Sequence, residues 1–405
     1  MWANVTLSEL FDIGSSKRVL KSQWQSTGVP FYRGREITRL SEDGFVDNEL
    51  FISEELYREF SNKSGVPTQG DIVITAIGTI GNSYIVRETD HFYFKDASVL
   101  WLKKASEVSS EFINYWLKSA QMKAQLDEGN GATVDTLTIR KLQALRLKLP
   151  TLAEQKRIVA ILNKAFVGID AAIANTEKNL ANARELFEAE LEKLVEGAVK
   201  DCGVVSLSEV AIFITDGDHM PPPKSDEGVP FITIRNIDKN TRNIDFSDTF
   251  SVSEEYFLSL KENKKPSIGD VLYTVTGSYG IPVLIGGNDR FCFQRHIGLI
   301  RPRPEILSEW VEAVLLSKYA RKQADDGATG TAQKTVSLKV LRNLKIPNQQ
   351  IADQRRLVDR ANLLFWETKK LESIYSKKRA NLSELKQSFL QRAFTGELTA
   401  EIMES

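Results

Sequence analysis

Two segments of the chain carry apolar residues at seven-residue spacing. One follows Pro150 and the other follows Pro347. A sustained seven-residue apolar repeat is typical of helices that pair along a seam. The pattern therefore predicts two long helices of about 45 residues each, or roughly 65–70 Å at 1.5 Å per residue. The first helix has one row of Val159, Phe166, Ile173, Leu180, Phe187 and Leu194 and a second of Leu162, Ile169 and Ala183; the second helix has one row of Leu357, Leu364, Leu371 and Leu385 and another of Ala361, Thr368, Tyr375, Leu382 and Phe389.

A helix of this length needs a partner, because one small domain cannot cover its apolar rows. The chain supplies two such helices, so we expect them to pair with each other as an intramolecular coiled coil. The alternative is that each helix packs only on its own globular domain.

The segments before the helices show a different pattern. Short β-rich runs such as "DIVITAIGTIGNSYIV" (residues 71–86) and "DVLYTVTGSYGIPVLI" (residues 270–285) contain glycine pairs. Helical patterns such as "SSEFINYWLKSAQMKAQL" (residues 109–126) lie between them. These segments are predicted to be mixed α and β.

The chain also repeats itself once, at an offset of about 200 residues. "VTLSEL" recurs as "VSLSEV", "GVPF" occurs twice, "PTQGDIVITAIGTIG" resembles "PSIGDVLYTVTGSYG", and "AEQKRIV" resembles "ADQRRLV". The period is too long for a solenoid repeat and indicates duplication of a whole domain. We expect an α+β protein with globular domains at residues 1–150 and 201–347 and long helices at residues 151–200 and 348–405.

Composition narrows the choice of function. The net charge is −1, whereas a sequence-blind polyanion binder is usually more basic. Cys202 and Cys292 fit neither a zinc site nor a disulfide framework, and a cytoplasmic location is expected. The N-terminus has no signal-peptide pattern, and no apolar run of about 20 residues is evident.

The motifs together resemble the specificity subunit of type I restriction–modification enzymes. They are the "AEQKRIV" and "ADQRRLV" helix starts, the "GDIVITAIGTIG" and "GDVLYTVTGSYG" segments, "FQRHIGLIRP", "GTAQKTVSL" and "QRAFTGEL". The resemblance implies two target recognition domains, each reading half of a split double-stranded DNA site. It also implies an antiparallel helical spacer with pseudo-two-fold symmetry, which docks two methyltransferase subunits and joins restriction and translocase subunits. It implies no catalysis and no cofactor.

Candidate DNA contacts are polar residues in turns beside strands. Base reading favours Arg, Lys, Asn and Gln, and phosphates are bound by Arg, Lys, Ser, Thr and backbone N–H groups. The alternative for each residue is a solvated or turn-stabilising role. The candidates in the first domain are Arg33, Arg35, Thr79, Gly81, Asn82, Ser83, Lys95 and Thr133, and those in the second are Arg235, Asn236, Thr276, Gly277, Ser278, Tyr279, Gly280, Gln294, Arg295, His296, Thr331, Gln333 and Lys334. The shared Gly-Asp pairs at residues 70–71 and 269–270 are predicted to be structural turns.

Motifs for catalysis are incomplete. "GATGTAQKT" has Gln333 where a phosphate loop requires glycine before lysine. "MPPPK" lacks the asparagine and aromatic residue of an amino-methyltransferase motif, "ENK" sits in a lysine-rich loop, and the three histidines are scattered, so no metal site is expected. The sequence therefore favours a non-catalytic DNA-recognition subunit. The alternative is a coiled-coil adaptor that binds only proteins.

Overall fold

The computed structural model of the chain divides into two compact units. Unit 1 comprises Met1–Thr176 and Lys377–Ser405, and unit 2 comprises Glu177–Ser376. The structure describes residues 2–127, 136–220, 222–239, 241–331 and 333–400.

The described residues of unit 1 form nine strands in three small sheets. The four-stranded sheet has the order β2-β8-β5-β6 and is antiparallel throughout. The three-stranded sheet has the order β4-β3-β7, in which β3 and β7 are parallel, and β1 pairs with β9 as a separate antiparallel ribbon. The strands are β1 (Ala3–Thr6), β2 (Phe11–Gly14), β3 (Val29–Tyr32), β4 (Phe51–Ile52), β5 (Ile72–Thr75), β6 (Ser83–Ile85), β7 (Tyr93–Phe94), β8 (Val99–Lys104) and β9 (Arg146–Leu149).

The helices of unit 1 pack on both faces of the larger sheet. Serine and threonine caps explain several starts: Ser53, Ser109 and Thr138 each accept a hydrogen bond from the backbone N–H three residues later. The helices are α1 (Leu7–Leu10), α2 (Gly34–Asp43), α3 (Glu54–Ser64), α4 (Ser110–Leu117), α5 (Ala120–Asp127), α6 (Ile139–Ala144) and the long α7 (Leu152–Cys202), whose first half belongs to this unit; Lys21–Gln23 forms a 3-10 helix.

Unit 2 has the same strand plan. Its sheets have the orders β11-β17-β14-β15, β13-β12-β16 and β10-β18, which match unit 1 strand for strand. The strands are β10 (Val204–Ser206), β11 (Ala211–Asp216), β12 (Val229–Ile232), β13 (Phe250–Val252), β14 (Val271–Thr274), β15 (Pro282–Leu284), β16 (Cys292–Phe293), β17 (Ile297–Pro302) and β18 (Lys345–Pro347). The internal duplication predicted from the sequence is therefore a duplication of topology.

One difference between the helices of the two units follows the strands β3 and β12. Where unit 1 has α2 after β3, unit 2 has only a 3-10 helix, Ile234–Asn236, after β12. The helices are α8 (Leu207–Val210), α9 (Glu254–Ser259), α10 (Ser308–Leu316), α11 (Lys318–Gly327), α12 (Leu338–Asn343) and the long α13 (Ile351–Thr395); α14 (Glu397–Ala400) follows in unit 1, and Glu262–Lys264 is a further 3-10 helix.

Each unit contains the start of one long helix and the end of the other, as in an antiparallel pair. In unit 1, Leu162 and Phe166 of α7 share a core with Phe394 of α13, whose ring lies 5.2 Å from that of Phe112 in α4. Pairs of opposite charge flank this packing. The Lys386 Nζ atom lies 2.7 Å from the Asp170 carboxylate.

The helix pair of unit 2 is built similarly. Leu191 and Val195 of α7 share a core with Val358 and Ala361 of α13. The Arg184 guanidinium lies 2.6 Å from the Glu372 carboxylate across the pair. The predicted pairing of long helices is confirmed, and the helices also contact the globular parts of their own units.

Two of the predicted seam residues lie outside it. The side chains of Leu371 and Leu385 are 38 % and 45 % exposed, so their assignment to the seam was wrong. In contrast, Ala361 is buried, and Tyr375 and Phe389 of the same row are half-buried. A straight helix has 3.6 residues per turn and drifts about 20° per heptad, so one row rotates out of the interface.

Helix α7 also corrects an expectation about apolar runs. It contains an 18-residue window with a mean hydropathy of 1.5, of which 28 % is buried, so by length and composition it qualifies as a membrane span. The core helix of a protein passes the same test. Ile158, Leu162 and Ile169 of α7 all lie in the core of unit 1.

Candidate nucleic-acid interface

In unit 1, the predicted residues meet at the carboxyl ends of two parallel strands. Arg33 directly follows β3, and Lys95 directly follows β7, where its backbone N–H donates to the Tyr32 carbonyl at 2.8 Å. The turn after β5 joins them, because the Ala76 N–H donates to the Ser98 carbonyl at 2.9 Å. Together they border an open cavity of about 540 Å³ lined by Arg33, Gly34, Arg35, Thr38, Arg39, Glu42, Ile77, Gly78, Thr79, Lys95 and Ser98.

A buried carboxylate holds the two predicted arginines of this cavity. Glu36 is 1 % exposed, and its oxygens lie 2.8 Å from Arg33 Nη2 and 2.9 Å from Arg35 Nε. The Arg33 backbone N–H donates to the same carboxylate at 2.8 Å and so caps α2. Burial by itself raises the pKa of Glu36, but the hydrogen bonds from Arg33 and Arg35 outweigh it and lower the pKa to about 2. Glu36 is therefore ionised and positions both guanidinium groups.

The glycine turns of the two units have one design. In unit 1, the Thr75 hydroxyl donates to the Thr79 carbonyl and accepts from the Asn82 N–H at 3.0 Å. In unit 2, the Thr274 hydroxyl donates to the Ser278 carbonyl at 2.8 Å and accepts from the Ile281 N–H at 3.0 Å. The glycines adopt positive φ: 78° and 92° for Gly78 and Gly81, and 68° and 87° for Gly277 and Gly280. The turns thereby expose Gly78, Thr79, Gly277 and Ser278.

In unit 2, the structure brings three predicted groups together. Gln294 follows β16, and its N–H donates at 3.1 Å to the carbonyl of Ile232, the last residue of β12. Arg235 is exposed just beyond β12. The His296 carbonyl accepts from the Val275 N–H at 2.9 Å, next to the glycine turn. The edge that holds Arg33 and Lys95 in unit 1 thus holds Arg235, Gln294 and Arg295 in unit 2.

The fourth predicted group covers the same turn. Thr335 pairs with Thr276, and the Gly277 N–H donates to the Lys334 carbonyl at 3.1 Å. Thr331, Gln333 and Lys334 are exposed beside the turn. Thr133, the corresponding prediction in unit 1, lies outside the residues that the structure describes.

Four predicted side chains lie inside the fold instead of on this surface. Ser83 is fully buried and donates to the Asn114 side chain at 2.8 Å, while Thr276 is 7 % exposed. Asn236 is 6 % exposed and accepts from the Thr233 N–H at 2.8 Å, so it caps the 3-10 helix. Tyr279 is 6 % exposed and donates to Asp325 at 2.6 Å. Their polar groups already have internal partners, so the sequence patterns mark structural positions here.

Two further predicted residues have limited access. The first is Gly280, which lies against the Arg321 side chain. Arg321 packs over the Tyr279 ring and donates to the Tyr279 carbonyl at 2.6 Å. The Asn82 amide donates to the Thr38 hydroxyl at 3.1 Å, and Asn82 is half-buried. Gly280 and Asn82 are therefore partly covered by neighbouring side chains of their glycine turns.

Electrostatics distinguish the histidine of the unit 2 edge. Burial, together with the nearby positive charge of Arg295, lowers the pKa of His296. A neutral imidazole carries one donor and one acceptor, whereas a charged one carries two donors. His296 is therefore suited to accept as well as donate a hydrogen bond at neutral pH.

The sequence reasoning missed Arg39, which lines the unit 1 cavity one helical turn after Arg35. The spacing of four residues on a helix was the available signal. Among the residues that the structure describes, no group of three or more His, Cys, Asp or Glu side chains is placed to hold a metal ion.

Comparison with known proteins shows which proteins the chain resembles. Residues 1–181 match the model of the type I restriction modification DNA specificity domain. This part of the chain therefore resembles the specificity subunits of type I restriction–modification systems. A putative type I specificity subunit of Haemophilus influenzae is 31 % identical over 190 residues, which cover 44 % of this chain and 46 % of that protein. The EcoBI specificity subunit of Escherichia coli is 26 % identical over 67 % of this chain and 62 % of its own length. This chain thus spans about half to three-fifths of these two relatives.

Other specificity subunits align over more of the chain. The MjaVIII specificity subunit of Methanocaldococcus jannaschii is 22 % identical over 87 % of this chain and 88 % of its own. A chain from a structure of the type I R-M system, described for complex assembly and conformational transition, superimposes with a TM-score of 0.75 at 20 % identity over 98 % of both chains. The HsdS subunit from Thermoanaerobacter tengcongensis gives 0.54 at 20 % identity, over 98 % of this chain and 97 % of its own. These likenesses establish the fold of a specificity subunit.

Proposed function

We propose that this chain is the DNA sequence-specificity subunit of a type I restriction–modification system. Residues 1–150 and 201–347 form two target recognition domains, each of which reads one half of a bipartite double-stranded DNA site. The observation that carries the proposal is the duplicated strand edge with Arg33 and Lys95 in one unit and Arg235, Gln294 and Arg295 in the other. Side chains of these types bind base edges and phosphates.

The exposed predicted residues carry the contacts in this proposal. Arg33, Arg35, Lys95 and Thr79 face DNA in unit 1, and the exposed turn residues of unit 2 do the same. The two half-sites differ, because the same framework holds different side chains. An asymmetric recognition sequence follows.

In this proposal, the long helices at residues 151–200 and 348–405 form one spacer. The spacer sets the gap between the two half-sites. Inserting four residues into both helices, after Thr176 and after Ser376, adds about 6 Å of helix, or about two base pairs at 3.4 Å each. The expected result is a changed gap with unchanged half-sites. A changed half-site with an unchanged gap contradicts the spacer role. Replacing four residues at each place without insertion is the control.

The helix pair also docks two methyltransferase subunits, and restriction and translocase subunits complete the assembly. An exposed apolar row on α13 supports a docking role. Leu363, Trp366 and Ile374 are 60 %, 68 % and 50 % exposed. Exposed apolar patches, and tryptophan in particular, mark protein interfaces. Trp366→Ala should reduce co-purification of a methyltransferase, while Ile268→Ala on a remote surface turn should not.

The chain itself does no chemistry in this proposal, needs no cofactor and acts in the cytoplasm, where its DNA and methyltransferase partners are found. Mapping of methylated bases in a host with and without the gene tests the central claim. One split sequence should lose its methylation on deletion. If every methylated sequence persists, the chain does not direct modification in that host. A protein-only adaptor, the alternative, would leave all methylation sites unchanged and still bind partners.

A further inference from the structure

Each unit presents one exposed apolar side chain at the same place in the fold. Leu20 is 54 % exposed and Met220 is 77 % exposed. Each lies eight residues before the glycine of a "GVPF" strand, Gly28 or Gly228. These glycines fix the register, because both have positive φ and both face the carbonyl of the neighbouring strand, Ile52 or Val252. Leu20 and Met220 therefore occupy equivalent positions in the two copies.

The loop of unit 1 is fixed to the edge described above. The Ser16 hydroxyl donates to the Phe94 carbonyl at 2.6 Å, and the Lys17 N–H donates to the Tyr93 hydroxyl at 2.8 Å. Val19 is buried, and the Leu20 N–H donates to the Gln23 side chain at 2.8 Å in the following 3-10 helix. Lys95, a predicted DNA contact, comes directly after Phe94. The loop is therefore attached to the edge that carries Lys95, and the Leu20 side chain on it is exposed.

The loop of unit 2 is fixed to the equivalent strand by different chemistry. The Asp218 N–H donates to the Phe293 carbonyl at 2.9 Å, and the Arg295 N–H donates to the Asp218 carbonyl at 3.0 Å. The Lys264 ammonium donates to the Gly217 carbonyl at 2.8 Å, and the Tyr256 hydroxyl donates to the Asp218 carboxylate at 2.8 Å. These contacts lie shortly before the "MPPPK" segment (residues 220–224), which in the sequence is only an incomplete methyltransferase motif.

An exposed apolar side chain on a firmly held loop has no role in the core. Its repetition in both units, with a different residue type each time, indicates a position that contacts a ligand and varies with it. The loop of each unit is hydrogen-bonded to the strand end that carries Lys95 in one unit and Gln294 and Arg295 in the other, so both loops belong to the same edge of the fold as the candidate DNA surface. In the major groove, the 5-methyl group of thymine is the apolar feature of the base edges.

We propose that Leu20 and Met220 are the apolar base contacts of their units, each packing on the 5-methyl group of a thymine in its own half-site. The inference rests on the proposed function and assigns it two specificity-determining residues. Lys17, Arg18 and Lys21 are exposed around Leu20 and bind the flanking phosphates.

The test uses the full chain purified with a methyltransferase partner and duplexes that contain its recognition sequence. Each thymine of the half-sites is replaced in turn by deoxyuridine, which lacks the methyl group. One replacement in each half-site should weaken binding by the unaltered chain about four-fold, the effect of one buried methyl group. Met220→Ala should abolish the loss in one half-site alone, and Leu20→Ala should abolish it in the other.

Matched controls separate a DNA contact from a general loss of folding. Phe45→Ala in unit 1 and Ile268→Ala in unit 2 remove side chains that are 72 % and 57 % exposed, and both should leave deoxyuridine sensitivity intact. Thermal unfolding of all four variants should match the unaltered chain, because the deleted groups are exposed.

Two results would overturn the inference. One is that Met220→Ala and Leu20→Ala keep the deoxyuridine sensitivity of the unaltered chain. This holds also if the two variants weaken methyltransferase binding. The other is a loss of sensitivity in both half-sites from a single variant. If the unaltered complex selects no split sequence at all, the proposed function itself has failed.

Discussion

After β3, unit 1 forms a ten-residue helix that begins in an ion-paired cluster; after β12, unit 2 forms a 3-10 turn held by neutral hydrogen bonds. The same cap position is filled by Glu36 in the first case and by Asn236 in the second. Both side chains are buried and both accept from the backbone N–H three residues earlier.

The difference shows how one backbone plan carries two surfaces. Glu36 fixes Arg33 and Arg35 but neutralises part of their charge, while Asn236 leaves the exposed Arg235 without a nearby acidic cap. A buried side chain therefore helps to set the charge at this edge of each unit. Three sets of substitutions test this difference between the units.

The largest difference is expected at the two buried aspartates of the Gly-Asp turns. Asp270 binds Arg301 with two contacts of 2.7 Å, whereas Asp71 accepts from the Trp101 indole at 3.0 Å and the Lys104 N–H at 2.9 Å. Asp270→Asn leaves a partly buried arginine without its counter-charge and should cost about 3 kcal/mol. Asp71→Asn should cost about 1–2 kcal/mol. Urea unfolding, followed by hydrogen exchange in each unit, measures the loss of stability in both variants. Equal losses would contradict the different roles of Asp270 and Asp71.

A smaller effect is expected at Glu36. Its pKa is lowered from 4.5 to about 2, so its stabilisation is present above pH 4.5 and is lost as the pH falls toward 2. Glu36→Gln should therefore lower the stability of unit 1 at pH 7 by on the order of 2 kcal/mol and remove this acid dependence. Denaturant midpoints between pH 7 and pH 2.5 provide the measurement. Asn236→Asp in unit 2 is the reciprocal control, and a wild-type-like acid profile in Glu36→Gln would exclude this role.

The smallest effect is expected in DNA binding. Arg235→Ala should weaken binding by about 1 kcal/mol and reduce the slope of log affinity against log salt by about one. Arg33→Ala should have a smaller effect, because Glu36 already compensates part of its charge. Titrations at several salt concentrations compare the two variants. A larger loss for Arg33→Ala would show that Glu36 orients the arginine without reducing its attraction for phosphate.

The sequence was sufficient to predict the duplication and the long helices, because both are repeated over many residues. It also predicted that the Gly-Asp pairs are structural turns, and Asp71 and Asp270 are indeed nearly buried. The strand edge that collects Arg33, Lys95, Arg235 and Gln294 required the parallel pairing of β3 with β7 and of β12 with β16, which no local pattern encodes.

The misplaced site residues have a common physical cause. Tyr279 and Ser83 follow the same turn pattern as exposed Thr79 and Ser278, and only tertiary packing decides which side chain points inward. The amide of Asn236 suits a base contact, but its position three residues after Thr233 is also that of a cap. Leu20 and Met220, the proposed apolar base contacts, carry no sequence signal for such a role, since an apolar residue in a sequence resembles a core residue.

The division of the long helices between units has a consequence for synthesis. Unit 2 is contiguous, whereas the core of unit 1 includes Leu390, Ala393 and Phe394, more than 200 residues after most of its strands. At roughly 5–20 residues per second, unit 1 waits about 10–40 s for these residues to emerge. Unit 1 is therefore synthesised first but completed last. The apolar residues that pack against the end of α13 stay exposed until α13 has been synthesised.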